Sequence, residues 1–247
     1  MAPLRERLRP LRPVLLPIWR VAEPIVSGGS RLSIPTLASR LTSAVGDVAS
    51  RARGARPRPI RALRRHEIVD LAAREPYYRP RIGYMRVATD EASRLIDRDD
   101  LRTALELGPN LRSLIVGADV MDIREQDRLE AEGRRVVADA RQAPWPFDDK
   151  AYDLFMALQV FEHLGDRQPE AFREVCRVAR HAMLSLPIDW VMDDPRNCHH
   201  GLTNEKVLSW FAPVVPTRVL VGNPGRRKRL LYVFENLPPP DGDPVAA

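Results

Sequence analysis

Cysteine is almost missing from this chain: 247 residues contain two, Cys176 and Cys198. Two cysteines cannot build a disulfide framework or a Cys-rich zinc module. Long apolar runs are missing too, and without about 18 consecutive uncharged apolar residues no membrane-spanning helix is expected. Aromatic residues make up 6% of the chain, and 13 glycines are outnumbered by 23 prolines, which points to stiff extended segments. What remains is 44% hydrophobic, enough for a buried core. The length suits one full domain of roughly 150–180 residues with a smaller piece beside it.

Lysine is absent from residues 1–66, where 14 arginines face Glu6, Glu23 and Asp47, a balance of +11. The whole chain carries +6, so residues 67–247 carry −5. The basic character therefore belongs to the front quarter and gives no ground for nucleic-acid binding by the main domain. Without interleaved aromatics, base stacking by the arm is not expected either. Residues 1–59 read as a basic Pro/Arg-rich arm, because repeated prolines interrupt every long helix. Only Arg31–Ala52 keeps a helical spacing, with Leu37, Leu41, Val45 and Val48 on one narrow face. Three readings of the arm stay open: a poorly ordered tail, a contact with anionic lipid through Leu15, Leu16, Ile18 and Trp19, and an Arg-rich transit peptide. The apolar piece Val14–Trp19 is too short for a secretory signal and is broken by Pro17. The expected location is the cytoplasm, with the arm available for contact at a membrane surface.

From Ile60 the pattern changes. Ile60–Arg74 and Tyr84–Ile96 read as helices, a helical lead-in over 60–100 with the proline-bounded connector Glu75–Pro80 between them. Short apolar strands follow at Thr103–Leu107, Ala118–Met121, Arg135–Ala138, Tyr152–Leu158 and Ala182–Leu186. Helices are expected between them at Arg124–Glu132 and Pro169–Ala179, and a further one at Thr203–Phe211 with Thr203 as N-cap. On Pro169–Ala179 the broad apolar face makes Cys176 a core residue. Strands alternating with helices pair in parallel through crossovers, giving an α/β sandwich with helices on both faces. Val214–Val221 and Leu230–Phe234 flank a tight turn and form a C-terminal antiparallel hairpin. Residues 238–247 read as a disordered tail.

Parallel sheets bind ligands beyond the carboxyl ends of their strands. Here those ends carry Glu106 to Gly108, Asp122, Asp139 and Gln159. An acid closing the first strand, a glycine two positions on and an acid closing the second strand form a nucleoside-binding layout. The glycine lets the backbone approach the ligand, and the second acid accepts hydrogen bonds from ribose hydroxyls.

The runs Ala104-Leu105-Glu106-Leu107-Gly108-Pro109-Asn110, Ala118-Asp119-Val120-Met121-Asp122-Ile123, Ala138-Asp139-Ala140 and Ala151–Leu164 resemble class I S-adenosylmethionine-dependent methyltransferases of the broad type 11 group. The resemblance covers about Leu101–Leu237, taken as the methyltransferase-like domain. It implies a Rossmann-like three-layer sandwich with a mostly parallel seven-stranded sheet. It also implies S-adenosyl-L-methionine as cofactor and a small-molecule, glycan or lipid-linked methyl acceptor. Glu106 would sit near the methionine amino end, with Gly108, Pro109 and Asn110 allowing close backbone contact. Asp122 would hold the ribose, Ile123 would pack on the adenine, Asp139 would meet its amino group and Ala140 would donate a backbone N–H. Gln159 would lie where methyl group and acceptor meet, and His163 is the candidate proton acceptor.

Two features depart from the family pattern. Asn110 and Arg112 stand where further glycines are usual, with Asn110 expected to turn the chain through a left-handed backbone. Only Pro109–Val120 separates the first two strands, too short a link for a helix, as in some relatives acting on glycans or lipids. A methyltransferase-like binding or scaffold protein without turnover is the alternative reading. Cys198, His199 and His200 follow one another directly; consecutive residues do not readily converge on one ion, so no metal is expected. Asp189–Leu202 reads as a loop over the acceptor pocket. Nothing in the sequence sets an oligomeric state.

Overall fold

Apolar side chains alternate along the strands, and each phase feeds a different core. On β2 (Ala104–Leu107) and β6 (Tyr152–Leu158), Ala104, Leu154 and Met156 point to one side while Leu105, Leu107, Phe155 and Ala157 point to the other. The same split recurs on β7 (Ala179–Pro187) and β9 (Arg229–Phe234), where Met183, Leu231 and Val233 oppose Leu184, Tyr232 and Phe234. A sheet buried on both faces reads as a nearly continuous apolar run, which is the reason Tyr152–Leu158 is so legible. The computed structural model describes residues 59–223 and 227–239. The arm up to residue 58, turn residues 224–226 and the tail from 240 lie outside the described residues.

The strands β4 (Asp119–Asp122), β5 (Arg135–Val137) and β8 (Arg218–Asn223) complete a seven-stranded sheet of order β5-β4-β2-β6-β7-β9-β8. Pairing is parallel from β5 through β7, and β9 lies antiparallel between β7 and β8. The strand order reverses direction between β2 and β6, and that switch point is where an open α/β sheet leaves a crevice.

One layer is built by α1 (Arg65–Arg74) and α2 (Ile82–Asp99). Met85, Ala88, Ala92, Leu95 and Ile96 of α2 recur at helical spacing and are buried against the sheet. The other layer is α3 (Gln168–Val178) and α4 (Asn204–Phe211), whose Phe172, Val175, Val207 and Phe211 meet Tyr232 and Phe234. Cys176 is buried in this second core, and Thr203 caps α4, its side chain accepting from the Lys206 backbone. The helical segment before residue 101 is thus one of the three layers.

Several elements differ from expectation, among them the strand expected at Val214–Val221, which occupies Arg218–Asn223. The first helix begins at Arg65 rather than Ile60, because β1 (Arg61–Ala62) pairs antiparallel with β3 (Ile115–Val116). Glu67 fixes the new start: its carboxylate accepts from the Arg64 backbone at 2.7 Å and from Arg61. No helix forms over Arg124–Glu132. That segment offers only Leu129 and Ala131 as apolar residues, too few for a buried stripe. Its backbone instead zips to the short link after β2, with Glu130 donating to Leu111 O at 2.8 Å and accepting from Ser113 N at 3.1 Å. Gly133 permits this close approach, since a Cβ there would lie 2.0 Å from Ala118 O. The connector Pro76–Arg81 is a 3-10 turn.

Candidate functional site

A cleft open to solvent lies at the switch point between β2 and β6. Glu106, Gly108, Pro109, Asn110 and Gln159 line it, joined by Tyr78 and Tyr84. Gly108 turns the chain with φ +61°, and a Cβ there would meet Val160 Cγ2 at 3.0 Å. Asn110 is not among the residues of positive φ, so the left-handed turn expected of it is made by Gly108 instead. Tyr78 holds the short link in place, its hydroxyl accepting from Leu111 N at 2.9 Å and Arg112 N at 3.0 Å. Gln159, on the far side, is a non-glycine residue at φ +60°. Side-chain contacts on both ends fix it: Nε2 donates to Ser185 Oγ at 3.1 Å, and Oε1 accepts from Arg229 Nε at 2.9 Å. Unusual backbone held this firmly is common at functional positions.

Glu106 is 3% exposed. Its Oε2 accepts from Ser113 Oγ at 2.6 Å, Leu114 N at 2.8 Å and Ile115 N at 3.4 Å. Burial outweighs these bonds and pushes its carboxyl up to about 7. Glu106 therefore anchors the shortened link as well as lining the cleft. Asp122 closes β4, accepting from Arg124 N at 3.2 Å and from Gln126 Nε2 at 2.5 Å; that same amide reaches Pro109 O at 3.1 Å. The side chain of Ile123 next to it is 56% exposed. Asp139 receives the Arg141 guanidinium at 2.8 Å and the Arg141 backbone at 3.0 Å, which hold its carboxyl below the usual range. Ala140 is buried, and its carbonyl accepts from Trp145 Nε1. The structure thus sets Glu106, Gly108, Pro109, Asn110 and Gln159 around one cleft. Asp122, Ile123, Asp139 and Ala140 follow at the ends of the two neighbouring strands.

A second group stands past β6 and β7. His163 ends the short 3-10 turn Phe161–His163, and its ring meets that of His199 edge-on at 5.0 Å. Beneath them Glu162 is buried with both carboxylate oxygens lacking a hydrogen-bond partner, and burial pushes it up to about 8. Arg229 packs its guanidinium over Tyr84 at 4.7 Å and Trp190 at 4.6 Å, with a buried Nη1 that has no partner.

Residues 103–182 match the family model described as "Methyltransferase domain". They run from β2 into β7 and contain Glu106, Gly108, Asp122, Asp139 and Gln159. No curated protein matches the chain. Among solved structures, the N-methyltransferase NodS from Bradyrhizobium japonicum WM9 is 15% identical, with a TM-score of 0.47 over 62% of this chain and 96% of that one. NodS in complex with S-adenosyl-L-homocysteine gives 15% identity and a TM-score of 0.45, over 62% and 87% of the two chains. A SAM-dependent methyltransferase from Aquifex aeolicus gives 13% identity and 0.38, over 53% and 80%.

Residues 103–182 do not make the cleft alone. Tyr78 and Tyr84 come from the segment before them, and Arg229, which holds Gln159 and packs on Tyr84, from the segment after. The expected connector Glu75–Pro80 supplies one of these side chains, and the paired tyrosines between its prolines are the signal in the sequence. Arg229 had none, being one arginine in a basic turn. No described helix is long and apolar enough to cross a membrane.

Proposed function

We propose that the chain is an S-adenosylmethionine-dependent methyltransferase acting on a small-molecule, glycan or lipid-linked acceptor. One observation carries the reading: a cleft at the switch point lined by Glu106 and the left-handed Gly108, with Asp122 and Asp139 following at the ends of the neighbouring strands β4 and β5. The residues suit the cofactor, because the successive strand ends carry the acids Glu106, Asp122 and Asp139, and the exposed Ile123 offers an apolar contact. Glu106 would receive the amino group, Asp122 the ribose hydroxyls, and Asp139 and Ala140 the adenine edge. When bound, the cofactor supplies an electrophilic methyl group. The chain's own work is then positioning, which suits a reaction governed by approach geometry. Gln159 stands at the acceptor end, tied to Arg229, whose unpartnered Nη1 and aromatic neighbours suit an acceptor bearing oxygen atoms.

A methyltransferase-like scaffold protein that has lost the cofactor site, and with it turnover, is the competing reading. On its side, Gln126 and Arg141 already bond the two strand-end acids. Titration calorimetry with S-adenosylhomocysteine separates the two readings, since an absence of binding at millimolar ligand refutes the cofactor site. Asp122→Ala should weaken that binding by about 1–3 kcal/mol through loss of ribose hydrogen bonds. Unchanged affinity removes Asp122 from the site. The arm's contact with an anionic surface remains part of the proposal; vesicle flotation unchanged by deletion of residues 1–59 ends it.

A further inference from the structure

We propose that His163, Cys198 and His199 form a binding site for a divalent zinc-class metal ion. One ligand atom from each lies within 4.8 Å of the others. Cys198 Sγ stands 3.3 Å from His163 Nδ1 and 3.9 Å from His199 Nδ1. A tetrahedral ion about 2.3 Å from sulfur and about 2.05 Å from nitrogen sets the S···N separation at roughly 3.5 Å. The two observed distances bracket that value, so small side-chain rotations close the site. One thiolate with two imidazoles is a borderline-soft set that selects zinc over magnesium or calcium.

The surroundings carry the inference further. Without a metal His199 Nδ1 donates to Asn197 Oδ1 at 2.8 Å, a bond that ligation through Nδ1 replaces, while His199 Nε2 faces Glu162 Oε1 at 3.6 Å. Neither oxygen of the buried Glu162 has a hydrogen-bond partner. Metal ligation through His199 Nδ1 requires the tautomer with its proton on Nε2, which gives the Glu162 carboxylate a donor. A carboxylate behind a ligating histidine is the usual supporting arrangement in such sites. The cation beside it also favours the ionised carboxylate. Binding converts the Cys198 thiol to thiolate and releases its proton to solvent. Three protein ligands leave a fourth position for water or a heteroatom of a bound molecule. This gives His163 a ligand's role in place of the proton-acceptor role expected from the sequence, and it ties the loop around 198–199 to the turn after β6.

The convergence overturns the sequence argument against a metal. Cys198 and His199 sit on tight turns, with Asn197 N donating to Asp194 O at 3.0 Å and His200 N to Asn197 O at 2.8 Å. That curled backbone brings neighbouring side chains together, and His163 arrives from 35 residues away.

The test uses the full chain without an affinity tag, stripped by chelator and titrated with Co²⁺ as a spectroscopic stand-in for Zn²⁺. One equivalent should bind, with a sulfur-to-metal charge-transfer band in the near ultraviolet, visible bands of four-coordinate intensity, and displacement by Zn²⁺. Cys198→Ser, at an exposed position, should abolish the charge-transfer band and weaken binding at least about tenfold. Glu162→Gln should keep the band and weaken binding about 10–100-fold. No stoichiometric binding, or a charge-transfer band that survives Cys198→Ser in a folded protein, overturns the site.

Discussion

Replacing Glu106 with glutamine tests the physical core of the site. The carboxyl is almost fully buried and raised from its ordinary 4.5 to about 7, burial being the dominant cause. In the unfolded chain the group ionises near its ordinary value. Between pH 4.5 and 7 the native protein therefore holds a proton that the unfolded chain has lost. Stability contributed by the protonated form is complete below pH 4.5, falls as pH rises through this window, and levels off above 7. A shift of this size corresponds to about 3 kcal/mol. Glutamine has nearly the same shape and cannot ionise. Its carbonyl can accept from Ser113, Leu114 and Ile115, so any loss of hydrogen bonding adds an offset that does not vary with pH. The difference in unfolding free energy between wild type and Glu106→Gln should change by about 3 kcal/mol across that window, in favour of the variant at higher pH. Urea titrations at half-unit pH steps measure it directly. Glu162 has a similar shift, but it is present in both proteins and cancels. A difference that stays constant across the window refutes the assignment of a protonated, buried carboxyl at the root of the cleft.

The same group links stability to ligand binding. A ligand ammonium placed beside Glu106 would favour its ionised form, so binding of S-adenosylhomocysteine below pH 7 should release up to one proton. Calorimetry in buffers of different ionisation heat should detect this release in the wild type and not in Glu106→Gln.

Two further substitutions test the frame of the fold and the turn at the cleft. Lys150 Nζ donates to Cys176 O at 2.6 Å, Ala179 O at 2.9 Å, and Leu237 O and Pro238 O at 3.0 Å. Lys150→Met removes charge-assisted bonds at the end of α3 and should cost about 2–3 kcal/mol, read as a lower denaturation midpoint at unchanged slope; an unshifted midpoint refutes it. Gly108→Ala places a Cβ on a left-handed backbone and 3.0 Å from Val160. It should cost about 1–2 kcal/mol of stability and weaken S-adenosylhomocysteine binding; wild-type values in both assays refute the strained turn.

The fold was legible where one physical signal dominated. Tyr152–Leu158 is apolar at nearly every position, and the strand occupies those residues. The strand expected at Ala182–Leu186 instead runs over Ala179–Pro187, because backbone pairing continues past the polar Arg180 and His181. Burial pattern alone cannot register such an extension. The absent helix at 124–132 shows the converse. Helical length and charge were there, but the apolar stripe was not, and the chain satisfied its backbone groups against the link after β2.

The site divides along the same line. The strand-end acids and Gly108 were readable because strand ends are themselves readable, and a parallel sheet brings them to one edge. What Glu106 does there was not readable, since its partners Ser113, Leu114 and Ile115 belong to a link whose path depends on Tyr78 from outside the domain. The histidine–cysteine group was hidden for a related reason. Spacing rules for ligands assume a helix or a hairpin, in which neighbours diverge. A succession of tight turns reverses that assumption, so adjacent Cys198 and His199 face the same point as His163. Their convergence depends on the turn carrying His163, whose place is fixed by Phe161 in the core and by Gly165 at φ +71° just beyond it. Loop chemistry in this chain is thus set by the anchors on either side of each loop, and those anchors, unlike the loops, follow from the pattern of buried residues.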